Sequence, residues 1–152
     1  MADAARLILA SASSARRALL QSAGLTFDIV PASIDEAQHL DAWTRHTTGA
    51  RLRDAALVLA QAKAEDVARK NPDAYVIGGD QILSLGETAL HKASDRAGAR
   101  RALIALRGRV HEFHASVALA TNGKTVWLHV DTARMTVREF SDAWLENYLD
   151  TA

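Results

Sequence analysis

At 152 residues the chain suits one domain and can bury a sizeable core. Lys plus Arg and Asp plus Glu balance at 18 each, so the formal net charge is zero; this argues against tracking a nucleic-acid backbone by bulk charge, yet a few focused cations could still hold a small anion. The absence of cysteine excludes disulfides and thiolate chemistry, and with no secretory leader pattern or bilayer-length apolar run, a cytoplasmic location is expected.

In chain order, residues 6–10 read as a buried strand and roughly 14–23 as a helix, with Gly24 as its C-cap. Ser11, Ser13 and Ser14 stand between the two, where backbone N–H groups and hydroxyls could face an anion. Arg16 and Arg17 fall in or near the first helical turn, where cations oppose the dipole by about 0.3–1 kcal/mol each. A bound phosphate would reverse that penalty; simple N-capping with solvated arginines is the plainer reading. Thr26 to Val30 alternates as a half-buried strand, and a loop follows with Asp35 and Glu36. Residues 37–48 read as loop or irregular helix, and 49–70 as a long alanine-rich helix stopped by Asn71-Pro72-Asp73.

Tyr75-Val76-Ile77 predicts a short buried strand ending at Gly78-Gly79-Asp80. Residues 81–85 and 88–92 predict a hairpin around Gly86-Glu87. A helix is expected from Ser94-Asp95 to about Leu106, then strands joined at Asn122-Gly123, the second running as far as Arg138. The last helix begins at Ser141-Asp142 and carries an apolar stripe of Trp144, Leu145, Tyr148 and Leu149, expected to pack on the sheet or to enter a homodimer interface. The order of elements implies an α/β fold with a mixed sheet flanked by helices.

Asp80 is the leading candidate for chemistry, since a carboxylate after an apolar strand and two glycines could take a proton from water or hold a cation. It could equally cap a turn. Lys63 lies on the stripe of Leu52, Ala56, Leu59 and Val67, so it must snorkel or meet an anion. Asp35 and Glu36 could bind a divalent cation with help from waters and phosphates, or be a solvated pair. Lys92 could face a phosphate from beyond the hairpin or guard a strand edge. His111 and His114 are three apart in a strand pattern, so they point to opposite faces and do not make a helical zinc motif.

These residues occur in an order that resembles the Maf family of nucleotide pyrophosphatases. Residues 9–20 resemble the opening LASxSxxRxxLL, and Ile34-Asp35-Glu36 follows. Residues 59–64 resemble LAxxKA, Gly78-Gly79-Asp80-Gln81 resembles the GxDT/Q signature, and Lys92 stands where the family has GKP. Residues 106–111 resemble LSGRTH, and Ser116 to Leu119 stand in place of TGVAL. The resemblance implies a cleft between lobes of an inosine-triphosphatase-like α/β fold, and hydrolysis of a nucleoside triphosphate to monophosphate and pyrophosphate with Mg²⁺ or Mn²⁺. It implies that Asp80 is the general base and a metal carboxylate with Glu36. Ser11, Ser13, Arg16, Lys63, Gln81 and Lys92 become substrate-binding residues. Glutamine at 81 is similar to the 7-methyl-GTP branch, whereas the dTTP and UTP branch has threonine; the 7-methyl-GTP branch tends to have an aromatic residue where this chain has Ala15. The chain departs from the pattern in lacking the Gly and Pro that flank the lysine at 92. Family members also continue past the last helix with a glycine-rich segment, so a single domain over 1–152, short at its C-terminus, is expected. The alternative is a nucleotide-binding protein with reduced or no turnover.

Overall fold

The computed structural model describes residues 5–46 and 51–151. The elements run β1 (Arg6–Leu9), α1 (Ser14–Ser22), β2 (Asp28–Ile29), α2 (Glu36–His46), α3 (Leu52–Lys70), β3 (Ala74–Leu85), β4 (Thr88–Leu90), α4 (Arg96–Leu106), β5 (Val110–Thr121), β6 (Lys124–Thr136) and α5 (Asp142–Thr151). The six strands form one mixed sheet in the order β2-β1-β3-β5-β6, with β4 also on β3. β1 pairs parallel with β2 and β3; the other pairings are antiparallel. This is the α/β class expected from the element order.

Local chemistry accounts for the boundaries. Gly24, at φ +76°, follows the α1 C-cap; its N–H reaches the Gln21 carbonyl while that of Leu25 reaches Leu20, which closes the helix as a Schellman motif. Asp95 caps α4 by accepting the Gly98 N–H at 2.6 Å. Asn122 and Gly123 both have positive φ, as a two-residue hairpin turn requires.

Three expected elements differ. The strand expected over 26–30 shrinks to the exposed two-residue β2, because the chain beyond it turns inward and packs Val30 and Ala32 against the core. Of the segment read as loop or irregular helix, the described part is a regular helix, α2, started by Asp35, whose Oδ1 accepts the Gln38 N–H at 3.0 Å. Residues 47–50, which held the end of that segment and the expected start of the long helix, lie outside the described residues. The strand expected to end at Gly78-Gly79-Asp80 instead runs on as twelve residues, so Asp80 lies well within it.

The core lies between α3 and one sheet face, and is built of Ile8, Ala10, Ala60, Ala64, Val67, Ala68, Val76, Ala118 and Ala120. Small side chains let α3 settle close to the strands. At Gly78 the approach is closest: a Cβ there would collide with the Ala60 carbonyl and would lie 2.7 Å from the Ala64 nitrogen. At the other end of the chain, α5 lies beside α4 through pairs of Arg96 and Arg100 with Glu146 and of Arg96 with Asp150. Leu145 is fully buried, whereas Trp144 and Tyr148 are half exposed and stack at 5.2 Å.

Candidate functional site

The sheet opens beside Asp80. β5 covers one edge of β3 from Val76 to Ser84. β1 takes the other edge only as far as Ile77, and β4 takes it again from Leu83. Gly78 to Ile82 is therefore left without a partner strand on that edge, just past the end of β1. In α/β sheets the carboxyl ends of parallel strands are where ligands gather.

The β1–α1 turn feeds this opening. Ser13 is the N-cap of α1, and its Oγ accepts the Arg16 N–H at 3.4 Å. Its own N–H donates to Ser11 Oγ at 3.2 Å. Arg16 folds back over the turn and donates from Nη1 to Ser11 Oγ at 2.9 Å. Its Nε would lie 3.3 Å from a Cβ on Gly79, so glycine makes room for the guanidinium against β3. The serine caps the helix, as the plainer reading expects, but only Arg17 is exposed, while Arg16 is turned inward.

Gly78 and Asp80 share the face of β3 that meets α3. Because Ala60 and Ala64 rest on Gly78, Lys63 is brought over the next position on that face. Its Nζ lies 2.6 Å from Asp80 Oδ1 and 2.8 Å from Glu36 Oε1. The lysine on the apolar stripe thus meets anions rather than snorkelling to solvent. Ser116, opposite Asp80 on β5, ties the strand to α3, with Oγ 2.6 Å from the Ala56 carbonyl oxygen and 3.1 Å from that of Asp80.

Burial pushes the Asp80 carboxyl above the ordinary aspartate range; the hydrogen bond and charge of Lys63 oppose this, the Glu36 charge adds to it, and the Arg16 charge opposes it again. A buried carboxylate with raised basicity, ringed by Lys63 and Arg16, suits proton abstraction next to a developing negative charge. Glu36, at the first position of α2, is half exposed and leans toward the same ammonium. Two carboxylates converging on one cationic group also suit a divalent cation that takes its remaining ligands from water and phosphates. Among the described residues, no group of three or more His, Asp or Glu could cage a metal on its own.

The structure therefore brings together Ser11, Ser13, Arg16, Glu36, Lys63 and Asp80. It does not bring Gln81 or Lys92 into that cluster. Gln81 is exposed and alternates to the opposite sheet face from Asp80, although its backbone lies on the open edge. Lys92 is exposed beyond the end of β4. Asp35 is occupied as the cap of α2. His111 and His114 do lie on opposite faces, and both are buried. His114 sits between Ser84 Oγ, 3.0 Å from Nε2, and Thr132 Oγ1, 2.9 Å from Nδ1. That chain lines a cavity of about 650 Å³ with Arg53, Glu87 and Glu112. Ser84 shares the face of Asp80, about 13 Å further along the strand.

A model of the Maf-like protein family matches residues 6–152. A 7-methyl-GTP pyrophosphatase of Rhizobium meliloti is 49% identical over 146 residues, which cover 94% of this chain and 71% of the relative. A nucleoside triphosphate pyrophosphatase of Rhodopseudomonas palustris is 44% identical over 146 residues, covering 96% and 70%. Among solved structures, a HAM1 protein from Coxiella burnetii aligns with a TM-score of 0.54 at 20% identity, over 85% of this chain and 70% of that one; this likeness shows the fold.

Proposed function

The chain belongs to the Maf-like protein family, and from that premise we propose that it hydrolyses a nucleoside triphosphate to the monophosphate and pyrophosphate. The single observation that carries this reading is the buried Asp80 held by Lys63 beside Glu36 and Arg16. In the proposed reaction, Asp80 takes a proton from a water that attacks the α-phosphorus. The bond from the α-phosphorus to the bridging oxygen breaks, and pyrophosphate leaves with the electron pair. Lys63 fixes Asp80 through Oδ1, which assigns the proton to Oδ2. Arg16 and the hydroxyls of Ser11 and Ser13 receive the phosphates. A Mg²⁺ or Mn²⁺ ion held by Glu36 and Asp80 would supply charge neutralisation at the phosphates.

The nucleoside end points along β3 toward the cavity at Ser84 and His114, on the same face as Asp80. For the base we favour 7-methylguanine. Support comes from the activity named for the Rhizobium relative and, as a resemblance in sequence and not as a contact on the Asp80 face, from glutamine at 81. A nucleotide substrate also fits a cytoplasmic location, and among the described residues no helix is long and apolar enough to cross a membrane. The test is pyrophosphate release from a panel of nucleoside triphosphates, 7-methyl-GTP included, with and without Mg²⁺ or Mn²⁺. Metal-dependent release of pyrophosphate is expected, fastest with 7-methyl-GTP. Tight nucleotide binding without release would overturn turnover, and preference for dTTP or UTP would overturn the choice of base.

A further inference from the structure

Asp66 is a charged residue that the reaction above does not use, and it is buried. It lies one helical turn after Lys63 on α3, on a neighbouring position of the helix surface and about 4.5 Å further along the axis. Its Oδ2 accepts the backbone N–H of Ser33 at 2.9 Å. Three residues after Ser33, Glu36 meets Lys63. The spacing is the same on both sides, so α3 grips one short segment at two points: Asp66 holds its backbone and Lys63 its carboxylate.

Little else ties this segment to the sheet. β2 pairs over only two residues, and the last strand-like bond is from the Val30 N–H to the Leu9 carbonyl. Beyond it, Val30 and Ala32 rest on the core, and Asp35 then turns the chain into α2. Asp66 keeps its charge in spite of burial. Burial alone would raise its carboxyl, but the Ser33 amide and Lys70, helped by Arg69, hold it below the ordinary range. Lys70 spans both of its oxygens at 2.9 and 3.1 Å.

We propose that Asp66 is a positioning residue of the hydrolytic site: by holding the Ser33 amide it sets the place of the Glu36 carboxylate against Lys63. The proposal rests on the pyrophosphatase reading, since it assigns Glu36 a part in turnover. It acts through geometry, and its effect therefore runs through Glu36.

The experiment measures kcat and KM for pyrophosphate release in a cycle of Asp66→Ala and Glu36→Gln. Asp66→Ala is expected to lower kcat by about 10- to 100-fold, the scale of a misplaced reacting group, with a much smaller change in KM. In the Glu36→Gln background it is expected to lower kcat less than about twofold, because coupled residues are not additive. Asp66→Asn, which keeps an oxygen for the Ser33 amide, restores most of kcat. Lys70→Ala removes the ion pair but not the anchor, and leaves kcat near the unsubstituted value. Ser33→Pro removes the same N–H from the other side and reproduces the Asp66→Ala loss, which keeps the test open if Asp66→Ala does not fold. Full additivity with Glu36→Gln, or an equal loss in Lys70→Ala, makes Asp66 a structural ion-pair residue and overturns the proposal. An active parent protein with unchanged Asp66→Ala and Ser33→Pro overturns this proposal alone. No pyrophosphate release by the parent protein overturns the functional reading and this one with it.

Discussion

At the scale of single residues, the site is a compromise between charge and burial. Asp80 is more basic than an exposed aspartate because burial outweighs the help it receives from Lys63. If it is the base, Asp80→Asn lowers turnover by about 10²- to 10⁴-fold while nucleotide binding survives; unchanged turnover would sink the assignment. The same shift sets a pH dependence of stability. The folded chain binds the Asp80 proton more tightly than the unfolded chain, so this group's contribution is full below the ordinary aspartate value of about 3.9 and is lost as pH rises through the raised folded value. Lys63, Glu36 and Arg16 are the charges that face it. Denaturant melts across that window in metal-free buffer should show the parent protein losing stability relative to Asp80→Asn as pH rises, and a parallel course would contradict the shift. Arg16 was legible as a cation in the wrong place on a helix dipole, and Lys63 as a cation on an apolar stripe. Both were visible because an unfavourable placement asks for an anion. Asp66 gave no such signal. With Lys70 four residues on, it has the pattern of an ordinary solvated helix pair. Only its burial under the Ser33 amide distinguishes it. Arg16→Ala should weaken nucleotide affinity in titration calorimetry and leave stability within about 1 kcal/mol, since it relieves the dipole. A large loss of stability with unchanged affinity would make Arg16 structural.

At the scale of elements, the site depends on how closely α3 approaches β3. The two glycines at 78 and 79 read as a break that ends a strand, yet the strand continues through them. Gly78 is extended and makes room for the Ala60 and Ala64 backbone, and Gly79 makes room for Arg16. A single sequence shows that a side chain is missing but not what fills the space, which is why the pattern predicts two strands where one long strand runs. Helix α2 is only half legible in the sequence, which leaves loop and irregular helix both open. Its surface is mostly polar, with Leu40 and Trp43 as its large apolar groups, so the apolar periodicity that marks a helix is weak, and its start is set by the Asp35 cap. Elements with strong periodicity or turn chemistry, such as α4 and the β5–β6 hairpin, were legible almost to their ends. Gly78→Ala should force α3 away from β3 and cost about 1–3 kcal/mol or more by overpacking. It should also lower turnover beyond that loss of stability, because the Lys63–Asp80 contact opens. Retained stability and retained activity in urea melts and pyrophosphate assays would show that α3 is not held at this point.

At the scale of the whole molecule, the residues that would meet the phosphates come from parts of the chain far apart in sequence. Ser11, Ser13 and Arg16 follow β1, Glu36 starts α2, Lys63 lies on α3, and Asp80 lies within β3. A ligand that touches all of them can be bound only when these elements are assembled, so its binding energy adds to the stability of the fold. At a free concentration of 100 times Kd, this contributes about 2.7 kcal/mol. For a chain of this size, roughly 2–4 °C per kcal/mol converts that into a rise of roughly 5–10 °C in Tm. A non-hydrolysable nucleoside triphosphate with Mg²⁺ should produce this shift in a thermal melt. Chelator should diminish it if the proposed metal is needed to neutralise phosphates that would otherwise face Glu36 and Asp80. Arg16→Ala should diminish it in the same way, whereas Lys70→Ala, which lies outside the phosphate cluster, should preserve it. Equal shifts in all three conditions would place the nucleotide elsewhere on the surface, and no shift at saturating ligand would mean that the cluster does not bind it.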